Sequence, residues 1–216
     1  MYKIAYIDES ERDRHDFQDY VKYAPNSADF VLDALEPLPN LKEFAQILIE
    51  SHYQAVVIDF DLSEKNRLIH YKGSDLANEI LAIRESFPVF VLTSYEDAAL
   101  MKVDDVNQVY DKKSIVHKED NLFLERIKYQ IKKFEQRITE AENRLLELTN
   151  LSKKRPLDVY EEEELIRLDS RIEKSLNKGN KIPDNIKTLS SEKRLDKIIE
   201  LLDKVDKTIQ KANNKK

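Results

Sequence analysis

The stretch Ala55–Ser63 reads AVVIDFDLS. Four apolar residues, Ala55–Ile58, run directly into Asp59, and Asp61 follows two places later. A short, continuous apolar run of this kind is typical of a strand that is buried on both faces of a parallel sheet. In such a sheet ligands bind beyond the carboxyl ends of the strands. The stretch therefore predicts an α/β fold with a polar site at the end of this strand.

The first part of the chain alternates apolar runs with amphipathic stretches. Strands are predicted at Lys3–Ile7, Phe30–Leu35, Ala55–Ile58, Val89–Leu92 and Val106–Tyr110. Helices are predicted at Arg12–Tyr23, Leu41–Tyr53, Asp75–Phe87 and Ala98–Val103. Five strands that alternate with helices predict βαβ units and a doubly wound, five-stranded parallel sheet with helices on both faces.

The residues beyond His117 show a different pattern. Apolar side chains recur at alternating spacings of four and three residues, at Ile127, Ile131, Phe134, Ile138, Ala141, Leu145 and Leu148. This heptad pattern predicts a helix over 118–151. Asp158, with Glu161 three residues later, resembles a helix N-cap and predicts a second helix over 158–178. A third is predicted over 191–212.

These patterns divide the chain into a first domain, 1–117, and a helical extension, 118–216. The extension is predicted to fold as an intramolecular hairpin that also supports a homodimer. A dimeric coiled coil is the alternative, because the same apolar positions could face a second chain.

Composition narrows the class of protein. The 216 residues include 2 Gly and no Cys, and 36% are charged. The lack of Cys excludes a disulfide framework, a thiolate metal site and a Cys nucleophile. No apolar run approaches the roughly 18 residues of a membrane helix, and the opening MYKIAYIDES does not resemble a signal peptide. We expect a soluble cytoplasmic protein with no membrane partner.

Polar residues lie at the ends of four of the five predicted strands. They are, in chain order, Asp8 and Glu9, then Asp59, then Thr93 and Ser94, and finally Lys112 and Lys113. Carboxylates that converge repel one another, and a divalent cation such as Mg²⁺ relieves that repulsion. A lysine and a hydroxyl nearby would hold anionic oxygens. The set suits transfer of a phosphoryl group onto Asp59, which would form an acyl phosphate.

Four stretches in this order, KIAYIDES, AVVIDFD, PVFVLTS and VYDKK, resemble the receiver domain of two-component response regulators. The resemblance covers about residues 2–114 and implies a flavodoxin-like (CheY-like) sheet in which Asp59 is phosphorylated. It further implies the following roles, which are carried over by position. Mg²⁺ would be held by Asp8, Glu9, Asp59 and the backbone carbonyl of Asp61; Thr93 and Lys113 would bind the phosphoryl group; and Tyr110 would be the switch aromatic.

Ser94 and Lys112 are the second choices for the hydroxyl and the lysine. Lys113 is preferred because Tyr110 then lies three residues before it, as in the family. The chain departs from the family at Ser114, where a proline usually follows the lysine. It also departs at Gly73, which comes fourteen residues after Asp59 and so lengthens the preceding loop. That loop, LSEKNRLIHYK, is expected to shield the acyl phosphate or dock a partner.

The resemblance implies a phosphorylation switch in a phosphorelay rather than an enzyme. The residues from Lys118 onward contain no His, so the extension cannot itself be a histidine phosphotransfer domain. The donor would be a sensor histidine kinase or another phosphodonor. The output would be a change in protein–protein interaction or dimerisation through the helical extension. Nucleic acid is not an expected partner, since acids interleave with the bases of the extension and no aromatic residues cluster among them.

Two alternatives to the switch stay open. The first is a constitutive coiled-coil scaffold whose receiver fold is only structural. The second is a haloacid-dehalogenase-like phosphatase, because Asp59–Ser63 resembles the DxDx(S/T) pattern of that family. The position of the pattern, after two earlier strands, is unusual for such phosphatases.

Overall fold

The computed structural model describes residues 1–94, 109–112 and 122–176. The strands are β1 (Tyr2–Ile7), β2 (Phe30–Leu35), β3 (Ala55–Asp59), β4 (Val89–Thr93) and β5 (Val109–Asp111). The helices are α1 (Glu11–Tyr23), α2 (Leu41–Glu50), α3 (Gly73–Ile83), α4 (Leu122–Ser152) and α5 (Val159–Leu176), with a 3₁₀ turn at Ser27–Asp29. The predicted strands therefore form: β2 has the predicted bounds, and β1, β3 and β4 are each one residue longer than predicted. β5 is described from Val109, and the predicted strand residues 106–108 lie outside the described residues.

The five strands form one parallel sheet in the order β2-β1-β3-β4-β5. This is the strand order of flavodoxin-like doubly wound folds. Ile7 of β1 is paired with Leu35 on one side and with Ile58 on the other. The predicted five-stranded parallel α/β fold is confirmed.

Alternate residues of the strands enter two apolar clusters, one on each face of the sheet. Ala5, Ile7 and Ile58 belong to the first cluster, together with buried side chains of α2 and α3. Tyr6 and Val57 belong to the second, together with side chains of α1 and the first turns of α4. Burial on both faces is the reason that these strands read as continuous apolar runs.

Two helices end earlier than their apolar patterns predicted. The predicted helix 41–53 ends at Glu50, because the chain turns at His52, which has a positive φ of 58°. The predicted helix 75–87 spans Gly73–Ile83 and ends because its C-cap, Arg84, has an extended backbone. Ser86, with a φ of 60°, lies in the turn that follows. Neither His52 nor Ser86 is the glycine that normally signals a left-handed conformation in a sequence.

The first half of α4 packs on the sheet. Ile127 and Ile131 are 0% and 1% exposed in the second cluster, and Phe134 lies in the first, where its ring meets the ring of Phe87 edge to face at 6.0 Å. The first positions of the predicted heptad pattern therefore serve the α/β core rather than a coiled-coil seam. The same 3.6-residue periodicity suits either use.

The predicted capping of α5 is confirmed. The Asp158 carboxylate accepts a hydrogen bond from the Glu161 N–H at 2.9 Å, and the Glu161 carboxylate accepts one from the Asp158 N–H at 3.0 Å. Arg144 of α4 donates two bonds to Glu164 of α5, at 3.1 and 2.8 Å. These contacts within one chain are those expected of the predicted hairpin.

The contacts of the chain define two compact units. The first contains Met1–Glu140 and resumes at Lys174, and the second contains Ala141–Glu173. The predicted domain boundary at 117–118 lies outside the described residues, as do the predicted helices 98–103 and 191–212. None of the helices in the described ranges is both long and apolar enough to cross a membrane.

Candidate phosphoryl-acceptor site

The polar residues predicted from the strand ends meet at one edge of the sheet. Asp8 follows β1, Asp59 ends β3 and Thr93 ends β4, and these three strands are neighbours. The register pairs Ile7 with Ile58, so Asp8 and Asp59 are the next residues along adjacent strands. Lys112 comes directly after β5. Parallel pairing alone brings these groups together.

Asp59 is a buried carboxylate with a donor on each oxygen. The residue is 8% exposed; its Oδ1 accepts from Lys112 Nζ at 2.8 Å and its Oδ2 from the Asp61 N–H at 2.9 Å. Burial raises the pKa of Asp59 above its usual value, although Lys112 opposes that shift, and the charge of Asp8 adds to it. Asp59 is thus a largely buried carboxylate whose two oxygens are both hydrogen-bonded.

Asp8 is held by donors on every side. It is 1% exposed; its Oδ2 accepts from the Tyr6 hydroxyl at 2.6 Å and from Lys112 Nζ at 2.9 Å, and its Oδ1 accepts from the Ser10 N–H at 2.8 Å. Burial, and then the charge of Asp8, raise the pKa of Tyr6 well above its usual value. Tyr6 therefore stays a neutral donor, and the carboxylate of Asp8 is fixed in place.

Lys112 is shared by three carboxylates. Its Nζ lies 2.8 Å from Asp59, 2.9 Å from Asp8 and 3.0 Å from Asp13 of α1. Burial alone would lower the pKa of Lys112, but Asp59 and Asp8 outweigh burial and raise it above the usual value. All three ammonium hydrogens have carboxylate acceptors, so the cation holds three elements together at the strand ends.

The structure places Lys112, the second choice, in the site; Lys113, the first choice, lies outside the described residues. Counting from Tyr110 favoured Lys113, whereas β5 ends at Asp111 and Lys112 immediately follows it. Asp13 was missed by sequence reasoning. The available signal was the N-cap at Ser10, which places the third residue of α1 on the first turn beside the strand ends.

Glu9 has a buried oxygen to which the described residues offer no hydrogen bond, Oε2. Burial, and the negative charges of Asp8 and Asp59, raise the pKa of Glu9 to about 7, against the opposing effects of its backbone hydrogen bond and Lys112. An unpartnered carboxylate oxygen beside two further carboxylates is chemically suited to Mg²⁺, which prefers such oxygens and relieves their repulsion. Glu9, Asp8 and Asp59 thus supply the type of ligand that a divalent cation binds.

The described residues hold no ready-made cluster of three acidic or His side chains around a vacant cation position. Lys112 lies between Asp8 and Asp59, where it already neutralises part of their charge. Asp61, the predicted backbone ligand, is fixed beside Asp59 by its N–H, while its carboxylate binds Lys72 at 2.6 Å.

Thr93 is 1% exposed at the end of β4 and is paired across the sheet with Asp111 of β5. Ser94, the second choice for the hydroxyl, is exposed. Asp59 is paired with Leu92, which directly precedes Thr93, so the threonine follows the partner of Asp59 on the neighbouring strand. The predicted hydroxyl is thus on the strand adjacent to β3.

Tyr110 connects the site edge to α4. Its half-buried ring packs on Phe90 at 5.8 Å and on Phe123 at 5.3 Å, and the guanidinium of Arg126 lies 5.5 Å from its centre. Phe123 and Arg126 belong to the first two turns of α4. A movement of this ring would therefore change the packing at the start of α4.

Gly73 explains how the lengthened loop still ends beside Asp59. A Cβ atom at this position would overlap the backbone carbonyl oxygen of Asp59. The Gly73 N–H donates to the carbonyl of Phe60 at 2.8 Å. The start of α3 therefore lies directly against the backbone of Asp59, which only a residue without a side chain permits.

A scan of the chain against protein-family models found no match, and a search among curated proteins found no significant relative. The site geometry and the strand order therefore carry the functional interpretation.

Proposed function

We propose that this protein is a phosphorylation switch of the response-regulator receiver type, and that Asp59 accepts the phosphoryl group. One observation carries the proposal. Asp59 ends the central strand of a 2-1-3-4-5 parallel sheet, and its carboxylate shares Lys112 with Asp8 at 2.8 and 2.9 Å. Aspartate, lysine and a second acid at the strand ends, with a hydroxyl on β4, form the set that the receiver resemblance implies.

The chemistry is a displacement at phosphorus. An Asp59 oxygen bonds to the phosphorus of the donor, the bond between phosphorus and the donor's leaving group breaks, and the leaving group keeps the electron pair. Lys112 Nζ lies 2.8 Å from Asp59 Oδ1 and would donate a hydrogen bond to a negatively charged phosphoryl oxygen after the transfer. The Thr93 hydroxyl would donate to another. Asp8, Glu9 and Asp59 are the residues that would hold a divalent cation, which would supply further positive charge for the phosphoryl oxygens.

The output is proposed to pass through α4. Phosphorylation would draw Thr93 and Lys112 toward the phosphoryl group and change the packing of Tyr110 against Phe123 and Arg126. The helical extension would then alter its contacts with a protein partner or with a second copy of the chain. Phosphoryl transfer from a sensor histidine kinase or a small phosphodonor would supply the signal, and the protein itself would act as acceptor rather than enzyme.

The phosphatase alternative fits Asp61 poorly. A phosphatase of that kind needs a carboxyl group near the nucleophile that exchanges protons with water. Burial would raise the pKa of Asp61, but the hydrogen bonds from Lys72 and Ser63 outweigh it and lower the pKa below its usual value. An aspartate held ionised in this way is a weak proton donor at neutral pH.

Intact mass tests the proposal. The full chain is incubated with Mg²⁺ and acetyl phosphate, beside Asp59→Asn and beside Asp19→Asn, an exposed aspartate on α1 that serves as a matched control. We expect one added phosphoryl group in the wild type and in Asp19→Asn, and none in Asp59→Asn. Steady release of phosphate with little adduct would favour the phosphatase instead.

Light scattering on the same samples separates the switch from the scaffold. A switch changes its mass in solution, or its affinity for a partner, when the phosphoryl group is present, and Asp59→Asn removes that response. A scaffold gives the same molar mass and the same partner binding in every sample. Equal molar mass and equal partner binding with and without the phosphoryl group would contradict the proposed output.

A further inference from the structure

The lengthened loop after the acceptor strand, Leu62–Lys72, is here called the strap. Its two ends are tied to the acceptor: the Asp61 N–H donates to the Asp59 carboxylate, and Gly73 lies against the Asp59 backbone. Its middle extends away from β3 and reaches Ser10, the N-cap of α1, three residues after β1. The strap thus leaves from the acceptor, passes the neighbouring strand end and returns to the acceptor.

The strap is anchored in the core at three points. Leu62, Ile69 and Tyr71 are 0%, 2% and 7% exposed and belong to the apolar cluster that contains α2 and α3. The Tyr71 hydroxyl also donates to the Leu38 carbonyl at 2.6 Å. Buried anchors of this kind fix the base of a loop and leave its tip as the part that opens at the least cost in free energy.

Lys65 of the strap carries a contact to the loop that follows β1. Lys65 is an exposed residue, yet its Nζ donates to the hydroxyl of Ser10 at 2.9 Å, and Ser10 is 4% exposed. The Ser10 N–H in turn donates to the Asp8 carboxylate at 2.8 Å. A chain of hydrogen bonds therefore runs from Lys65 through Ser10 and Asp8 to Lys112 and the acceptor.

We propose that Lys65 is a positioning residue that latches the strap to Ser10 and so lengthens the lifetime of phosphorylated Asp59. The inference deepens the proposed function and rests on it. Asp59 is only 8% exposed with the latch closed, so a group that reaches its carboxylate needs the strap or a neighbouring segment to give way.

The step that the latch slows is hydrolysis of the acyl phosphate. A water oxygen bonds to phosphorus, the bond from phosphorus to the Asp59 carboxylate oxygen breaks, and the carboxylate keeps the electron pair. The two water protons leave with the phosphate as dihydrogen phosphate, and Asp59 returns to its ionised form. The attacking water must approach the phosphorus opposite the Asp59 oxygen, and a closed strap limits such approach.

The first measurement is the decay of the phosphorylated chain after the donor is removed, followed by intact mass. Lys65→Ala is expected to shorten the half-life about three- to tenfold, as loss of one partly exposed hydrogen bond of ordinary net strength implies. Lys65→Arg keeps a cationic donor and is expected to recover part of the lifetime. Arg67→Ala removes one positive charge from the same strap, leaves the Ser10 contact intact, and is expected to decay like the wild type.

The second measurement follows the latch without phosphorylation. Hydrogen exchange of the strap peptide is expected to accelerate in Lys65→Ala and in Ser10→Ala, but not in Arg67→Ala. The double variant Lys65→Ala/Ser10→Ala should decay and exchange no faster than the faster single variant, because both remove the same bond.

Each failure has a separate meaning. Unchanged exchange in Lys65→Ala overturns the latch, and faster exchange with an unchanged half-life overturns its effect on lifetime. A wild-type chain that accepts no phosphoryl group overturns the proposed function and this inference with it, while the exchange data still report whether the latch exists.

Discussion

Basic side chains bind carboxylates in two parts of this chain, and the surroundings of the two sets are opposite. Lys112 binds Asp8 and Asp59 at the strand ends, where the three side chains are 22%, 1% and 12% exposed. Arg144 binds Glu164 in the helical part with its own side chain 46% exposed. Water screens the second pair and reaches the first very little. Similar distances therefore carry different energies, and only the buried set is suited to chemistry.

The largest effect is expected from Lys112→Met. The change leaves Asp8, Asp13 and Asp59 without their shared cation, and removal of one partner from a buried ionic set costs about 3–5 kcal/mol. Urea unfolding followed by circular dichroism measures the loss. Addition of Mg²⁺ should restore part of the stability, because a divalent cation replaces the missing positive charge. A Lys112→Met protein as stable as the wild type would remove the contrast between the two sets.

Core truncations should separate the two parts of α4. Ile131 is 1% exposed against the sheet, so Ile131→Ala is expected to lower the unfolding free energy of the α/β unit by about 2–4 kcal/mol. Leu148 is equally buried but belongs to the second compact unit. Leu148→Ala is expected to reduce the helical signal while phosphoryl addition at Asp59 stays intact. Loss of phosphoryl addition in Leu148→Ala would show that the two units do not act separately.

Gly73→Ala tests the contact between α3 and the acceptor. The new methyl group would overlap the Asp59 carbonyl oxygen, and a forced shift of packed backbone costs about 1–3 kcal/mol. Because Asp59 itself has to move, phosphoryl addition should fall together with stability. Thermal unfolding and intact mass measure the two effects, and Ala77→Gly, a buried position on the same helix, is the control for destabilisation without a clash. Full phosphoryl addition in Gly73→Ala would contradict this close approach.

The smallest effect is expected from Arg144→Ala. The pair with Glu164 is exposed, so salt and water already compensate most of its attraction. We expect no resolvable change in the unfolding midpoint at physiological ionic strength. A large loss of stability in Arg144→Ala would mean that the exposed pair stabilises the protein as strongly as the buried set around Lys112. It would contradict the energetic difference between the two sets.

Apolar patterning predicted the sheet because these strands are buried on both faces. Ala55–Ile58 and Val89–Leu92 read as continuous apolar runs, and the parallel order then placed Asp8, Asp59 and Thr93 at one edge. The positions of these three residues could be predicted because the carboxyl ends of parallel strands all lie at the same side of a sheet.

The remaining details depend on distances that spacing does not encode. Lys112 lies in the site because β5 ends at Asp111 and Lys112 directly follows it, whereas counting from Tyr110 favoured Lys113, which lies outside the described residues. Asp13 reaches Lys112 from α1, across a gap of 99 residues in sequence. The heptads of α4 predicted a helix correctly, but a period of 3.6 residues does not say whether a sheet or another helix covers the apolar face.

The most direct test of the central claim is to locate the phosphoryl group on the chain. Borohydride reduces an acyl phosphate of aspartate to the alcohol, and tryptic cleavage yields the peptide Glu43–Lys65, which contains both Asp59 and Asp61. Fragmentation of that peptide after treatment with acetyl phosphate and Mg²⁺ distinguishes the two. We predict that the reduced residue is at position 59. Reduction at position 61, at an acidic residue elsewhere, or at no residue of the chain would contradict the assignment of Asp59 as the phosphoryl acceptor.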